Sequence, residues 1–281
     1  MKILITGCNG QLGTEMRLQS VQHATHTYYF TDVAELDILD KAAVETFVRA
    51  NGIDLIVNCA AYTNVDKAET DEVFAKRLNA EAVANLGETG CRIIHISTDY
   101  VFAGDGCEPY REEDVISPQT AYGRTKYAGE KALMAVNPEA IIIRTAWLYS
   151  AYGNNFVKTM LRLGKERELL KVVYDQIGTP TYAGDLAAAI YTVIESPVWH
   201  PGIYHFTNEG VCSWYDFTVE IMRQAGISCR VEPILSSEYQ YQTPRPHYSV
   251  LNKSKIKQTF DLTISYWTDS LTHCLKELHE L

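Results

Sequence analysis

The sequence predicts an α/β fold, a doubly wound parallel sheet with a smaller C-terminal lobe. Three observations point there. Short apolar runs alternate with amphipathic stretches through the first half, the runs are apolar at nearly every position, and the first leads straight into a glycine-rich loop. Unbroken apolarity, as in Lys2–Thr6 and Leu55–Asn58, is what a strand needs when helices cover both faces of its sheet.

Strand patterns fall at Lys2–Thr6, Thr27–Thr31, Leu55–Asn58, Ile93–Ser97 and Ile141–Arg144, with helical patterns at Gln11–Gln22, Ala42–Asn51, Ala68–Thr89 and Ala121–Val136. After Trp147 the pattern loosens into helices near Asn155–Lys165, Gly184–Glu195, Ser213–Gln224 and Trp267–Leu278, separated by Pro- and Gly-bearing loops. The expected division is therefore a sheet domain over 1–150 and a lobe over 151–281, with some segments of the lobe returning to the sheet. The loop Tyr239–Tyr248, which holds Pro244, Arg245 and Pro246, reads as an ordered lid because of its aromatic content.

The 281 residues are 46% hydrophobic and 21% charged, which is enough apolar material for a sizeable core. A formal net charge of -10 argues against a nucleic-acid or anionic-membrane surface, since phosphate neutralisation needs clustered Lys and Arg. Seven cysteines, an odd number with no C-x-x-C pair, suggest neither a disulfide framework nor a zinc site. With no signal-peptide pattern and no membrane-spanning run, the expected location is the cytoplasm.

Between the first strand and the first helix lies Gly7-Cys8-Asn9-Gly10-Gln11-Leu12-Gly13. Glycines there allow a tight turn and let backbone N–H groups and the helix N-terminus approach a pyrophosphate, the signature of a dinucleotide-binding Rossmann-type domain. Asp32 follows the second strand, 19 residues beyond Gly13, where that fold sets an acid against the adenosine ribose. An acid there favours NAD over NADP by repelling a 2′-phosphate. The preference is left open between NADP(H) and NAD(H). Ala60, Ala61 and Tyr62 end the third strand, where small residues let a cofactor lie across the sheet, although core packing explains the alanines almost as well.

The fourth strand ends in Ser97-Thr98-Asp99-Tyr100, and 24 residues after Thr98 comes Tyr122-Gly123-Arg124-Thr125-Lys126. At i and i+4 on a helix, phenol and ammonium share a face, and a Lys⁺ beside a Tyr lowers the phenol pKa toward a value useful for proton exchange. The spacing alone is weak: Tyr127 and Lys131 repeat it, turned by about 140° from the first pair.

Together, the glycine loop, Ser97-Thr98 and Tyr122-x-x-x-Lys126 resemble the extended short-chain dehydrogenase/reductase family. Asn58–Glu69, Ser97–Phe102, Arg144–Tyr149, Asp175–Thr181 and Arg245–Leu251 are similar, within it, to the dTDP-4-dehydrorhamnose reductases. That resemblance selects Tyr122 as general acid, Lys126 as its partner and ribose ligand, and Thr98 as the hydroxyl that positions the carbonyl. It implies reduction of a nucleotide-sugar 4-ketone. It also implies Asp37 and Ile38 beside the adenine, and Val65, Asp99, Tyr100 and Trp147 around the sugar. Dehydratases of the superfamily resemble Thr-Asp-Glu where this chain has Thr98-Asp99-Tyr100, so elimination of water is disfavoured.

Asn154, Asn155 and Lys158 begin a helix whose N-terminus could receive a diphosphate, with ordinary capping the alternative for the asparagines. Arg245 suits bidentate diphosphate contact. Gln176 reads equally as architecture, and His95 as a satisfied core residue. Magnesium-linked dimers are described in the resembled family, and Glu15 matches one of their surface acids, but Gly184 stands where a second is expected, so no metal ligand is assigned. A homodimer is compatible with the sequence. Two other readings stand beside this one. Another nucleotide-sugar 4-ketoreductase or epimerase differs in product stereochemistry, and a regulatory subunit resembling the methionine adenosyltransferase beta subunit would not need Tyr122, Lys126 and Thr98.

Overall fold

The computed structural model describes all 281 residues. Strands β1 (Lys2–Thr6), β2 (Thr27–Thr31), β3 (Leu55–Asn58), β4 (Arg92–Thr98) and β5 (Ile141–Thr145) lie parallel in one sheet. Their order is β5-β4-β3-β1-β2, and the strand Gly202–His205 adds to β5, also in parallel, as a sixth member. Alternate residues of β1 feed opposite cores. Ile3 and Ile5 join Leu12, Met16, Leu186 and Ile190 on one face, while Leu4 joins Val44, Val48, Leu86 and Leu133 on the other. Two-sided burial is the reason that these strands read as continuous apolar runs.

Helix α1 (Gln11–Gln19) follows the glycine loop, and α2 (Lys41–Asn51) is capped by the Asp40 carboxylate, which accepts from the Ala43 amide at 3.0 Å. The single helix expected over Ala68–Thr89 is divided. It runs as α3 (Val65–Thr70), α4 (Glu72–Lys76), a π-helical turn Arg77–Glu81 and α5 (Ala82–Gly87). Asp71, at φ -136° and ψ 46°, breaks the first junction. The π turn presents the Asn79 side chain, which donates to the Tyr62 carbonyl and the Thr125 hydroxyl, both at 3.1 Å, and accepts from the Tyr62 amide at 2.8 Å.

Helix α6 (Ala121–Val136) begins at Thr120, whose hydroxyl accepts from the Gly123 amide at 3.1 Å. Its anchor to the sheet is electrostatic. Glu130 and Arg144 on β5, 2% and 1% exposed, form a bidentate pair at 2.9 and 2.7 Å, and the Ser97 hydroxyl of β4 donates to the same carboxylate at 2.5 Å. The pair is fully desolvated, so leaving either partner unpaired is expensive.

Beyond β5 a third core gathers Tyr149 of the short strand Leu148–Tyr149 with Val157, Leu161, Val172, Phe217, Ile221 and Leu271, from α7 (Phe156–Glu166), the strand Leu169–Val173, which pairs in parallel with Arg230–Ile234, and the helices Trp214–Gln224 and Trp267–Glu277. No helix is long and apolar enough to cross a membrane. Arg144→Met is expected to cost about 3–5 kcal/mol by stranding the Glu130 carboxylate, measured by urea unfolding. A loss below about 1 kcal/mol would show that the pair does not anchor α6.

Candidate active site

The glycine loop is shaped by how closely its backbone passes the end of β3. Gly7 has φ +62°, and a Cβ there would sit 2.7 Å from the Ala60 nitrogen. Gly13 lies against the Gly7 carbonyl, which fixes α1 on the loop. The N-cap of α1 is Gly10 and makes no side-chain cap, so the first amides of the helix face the loop without an internal acceptor. A cavity of 450 Å³ opens beside them, lined by Gly7, Gly10, Asp32, Asp37, Ile38, Ala60 and Ala61 among others. Seven expected cofactor residues therefore share one wall, and a cradle that Cβ atoms would fill suits a dinucleotide.

The remaining expected cofactor residues lie around that wall. Leu12 is buried in the sheet core. Tyr62 packs on Ala68, Ala75 and Ala121, a cluster that Tyr122 also touches, and edge-on against Phe74. The Gln11 side chain turns to the lobe: its carbonyl oxygen accepts from Asn155 at 3.0 Å and from Ser150 at 3.3 Å. Asp32 accepts from the Asn9 and Val33 amides at 3.1 and 2.8 Å, which ties the glycine loop to the end of β2.

A second cavity, of 590 Å³ and mostly apolar, is lined by Tyr100, Trp147, Phe156, Trp214, Tyr241 and Arg245, with Arg167, Lys171 and Gln176 among its polar walls. Trp147 stacks on Trp214 with centroids 3.5 Å apart. Its backbone is left-handed, φ 50°, a conformation that costs a large residue roughly 1–3 kcal/mol and recurs at ligand sites. Gly178 makes room for it, because a Cβ there would meet the indole and the Ser249 hydroxyl at 2.6 Å. The loop Tyr239–Tyr248 is docked by an ion pair, Arg245 to Asp66 of α3 at 2.8 Å, and by Gln176, which donates to the Tyr241 phenol at 2.9 Å. Asp66 carried no sequence signal, since its partner lies 179 residues away. Val65 begins α3 without lining this cavity. Asn155 caps α7, accepting from the Lys158 amide at 3.1 Å and donating to the Ser150 carbonyl at 2.7 Å.

Tyr122 stands between the two cavities. Its ring packs edge-on against Tyr100, centroids 5.4 Å apart, on the apolar side, and on the other it shares the Ala68, Ala75 and Ala121 cluster with Tyr62, which follows Ala61. Gly123 permits this, because a Cβ at that position would fall on the Tyr100 carbonyl. The Thr98 hydroxyl donates to Asp99 at 2.9 Å, accepts from the Tyr100 amide at 3.3 Å and lies against the Tyr122 phenol. Burial raises Asp99 to about 7, and its Oδ2 has no partner.

The expected lowering of the Tyr122 phenol by Lys126 is not realised. Burial dominates and lifts the phenol to about 12, only partly offset by Thr98. Lys126 is fully enclosed, donates to the Ile96 carbonyl at 2.7 Å and is drawn down by burial to about 8. At neutral pH the phenol is thus held protonated, the form that an acid needs. Tyr127 and Lys131 pair with each other instead, the ammonium 4.7 Å from the ring centroid, and Tyr127 packs beside Val101 and Phe102.

Glu15 is not a surface acid, being 2% exposed. Burial first, then the Glu277 and Asp185 carboxylates, lift it to about 7. No cluster of three or more His, Cys, Asp or Glu side chains could hold a metal ion.

The chain matches the family model described as RmlD substrate binding domain over residues 1–280. A dTDP-4-dehydrorhamnose reductase of Escherichia coli is 40% identical over 295 residues, spanning 99% of this chain and 98% of that protein. The crystal structure of a dTDP-4-dehydrorhamnose reductase from Clostridium acetobutylicum superposes with a TM-score of 0.94 at 45% identity, covering 99% and 100% of the two chains. One from Bacillus anthracis, in complex with NADP, gives 0.93 at 38%, covering 98% and 99%.

Two outcomes follow from this geometry. Gly178→Ala should displace Trp147 from Trp214 and shift tryptophan emission, with a several-fold weaker grip on any ligand of the apolar cavity; an unchanged spectrum contradicts the packing argument. Glu15 is raised in the folded state, so the native protein binds its proton more tightly, and stability falls as pH rises from about 4.5 toward 7. Glu15→Gln should therefore gain about 1–2 kcal/mol over the parent at alkaline pH and lose that advantage in acid. Unfolding curves at the two extremes decide it, and a difference independent of pH contradicts it.

Proposed function

This chain belongs to the dTDP-4-dehydrorhamnose reductase family, and on that premise we propose how its own residues reduce the 4-keto group of dTDP-4-dehydro-β-L-rhamnose to give dTDP-L-rhamnose. The observation that carries the proposal is the position of Tyr122, whose ring packs on Tyr100 in the wall of the apolar cavity and which shares the Ala68, Ala75 and Ala121 cluster with Tyr62, itself packed on Phe74 in the wall of the glycine-lined one.

NADP(H) or NAD(H) is held by Gly7, Gly10, Asp32, Asp37, Ile38, Ala60 and Ala61, and when bound supplies the hydride. The phenol of Tyr122 gives its proton to the carbonyl oxygen as negative charge develops there, and the Thr98 hydroxyl turns its one hydrogen from Asp99 to donate to the same oxygen. Lys126, enclosed two carbonyls from the end of β4, stabilises the tyrosinate left behind. Tyr100 offers neither acid nor base for elimination, since burial and the Asp99 charge push its phenol above its ordinary value.

The apolar cavity takes the nucleotide end of the substrate: Trp147 and Trp214 offer aromatic surface, and Arg245, with Arg167 and Lys171 on the same walls, complements a diphosphate. The ion pair to Asp66 holds the Arg245 guanidinium at the cavity before substrate arrives.

The test is to mix the protein with dTDP-4-dehydro-β-L-rhamnose and follow NADPH and NADH absorbance in separate cuvettes. Oxidation of at least one is expected, and oxidation of neither overturns the reading. Tyr122→Phe should lower kcat by roughly 10²–10⁴-fold; full turnover by this variant removes Tyr122 as the acid.

A further inference from the structure

His95 lies within β4, has no accessible surface and takes no part in the scheme above. Both of its ring nitrogens nevertheless have neighbours. Nδ1 is 3.0 Å from the Asn58 side-chain nitrogen, and Nε2 is 3.5 Å from the Lys126 nitrogen.

The far end of this chain of contacts fixes its direction. The Ala60 backbone amide can only donate, and it meets the Asn58 side chain at 3.1 Å; the atom there must be the carbonyl oxygen, which also accepts from the Thr6 hydroxyl at 2.7 Å. The Asn58 NH₂ group is thereby turned to the imidazole. An NH₂ only donates, so Nδ1 is the acceptor, and a neutral ring that accepts at Nδ1 carries its hydrogen on Nε2. Full burial beside Lys126 disfavours the doubly protonated ring.

We propose that His95 is a positioning residue for Lys126: its Nε2–H, aimed by Asn58, faces the lysine nitrogen and favours the amine over the ammonium, while the Ile96 carbonyl holds that nitrogen in place. An ammonium has three donors and no acceptor, so it meets Nε2–H donor against donor, whereas the amine has a lone pair to receive it. Burial acts in the same direction. Glu130, four residues along α6, opposes both, but its carboxylate is already engaged by Arg144 and Ser97. The other titratable groups around this end of β4 are the Tyr122 and Tyr100 phenols and the Asp99 carboxyl.

The inference rests on Lys126 acting beside Tyr122. After the phenol has given its proton to the sugar oxygen, a lysine N–H bond breaks and the phenol O–H bond re-forms. The resulting amine accepts the His95 N–H until it takes a proton from solvent. His95 keeps its own proton throughout, because the Asn58 amide has none to replace it.

Two measurements test this. ¹⁵N NMR of the imidazole in the protein near neutral pH should show the Nε2–H tautomer; a ring protonated at Nδ1, or at both nitrogens, overturns the proposal without reference to activity. The second is the pH profile of kcat/KM. His95→Phe removes the facing donor, and Asn58→Asp presents a carboxylate to Nδ1 and so reverses the tautomer, making Nε2 an acceptor for the ammonium. Each folded variant should move the basic limb upward by about half a pH unit or more. An unmoved limb in both overturns the proposal, and the NMR result decides where a variant does not fold. Lys126→Met with undiminished turnover would instead overturn the reading on which the inference rests, whatever the tautomer.

Discussion

The buried pair between Glu130 and Arg144 is the constraint on which the site depends. Helix α6 carries both Tyr122 and Lys126, and a helix lying on a sheet by apolar contacts alone has some freedom to slide or roll. The Glu130 carboxylate removes it, because it is bound bidentately to β5 through Arg144 and to β4 through Ser97. The pair brings directional geometry more than net stability, since desolvation offsets much of its attraction. One turn before Glu130 the lysine nitrogen meets the Ile96 carbonyl, and one turn earlier still the phenol meets Thr98. Three successive turns of α6 thus each hold one of the last three residues of β4.

Close approach supplies the rest of the precision. Gly123 lets α6 touch the turn that bears Tyr100, and Gly129 brings it against the Asn79 carbonyl of the π turn, so the helix is gripped from both sides near its reacting end. On the opposite wall Gly178 admits a tryptophan in a left-handed backbone conformation. These glycines hold side chains in place by leaving their own space empty. Asp66 and Arg245 do the complementary work with charge, joining the loop after Tyr239 to the helix that begins beside Val65.

Much of the fold was legible because β1 to β5 and α6 combine long apolar patterns with clear breaks. The strand Gly202–His205 was not, for it has four residues and only two of them are buried. The helix Ser254–Phe260 was also missed, since Ile256 and Phe260 are its only apolar residues. The break within Ala68–Thr89 leaves no mark on hydrophobic spacing, because the π turn preserves the buried face while rotating Asn79 toward Tyr62. At the site, the glycine loop could be read from local sequence. The partners of its chemistry could not: Glu130 with Arg144 and Asp66 with Arg245 are pairs made by topology, and Asn155, read from the sequence as ligand residue or cap, makes the bonds of a cap.

The electrostatics show why spacing alone misleads about mechanism. Tyr and Lys four residues apart suggest a phenol eased toward ionisation, yet in this enclosed site burial raises the phenol and lowers the amine, so both neutral forms gain. For reduction this is the useful direction. A phenol that stays protonated is available to a developing alkoxide, and the charge created by its departure falls where an enclosed cation can answer it. The cost of that charge appears only when the ketone is reduced, and stabilisation confined to that moment accelerates the chemistry rather than merely tightening binding. The burial that first looks like an obstacle to ionising Tyr122 is therefore what keeps its proton for the substrate.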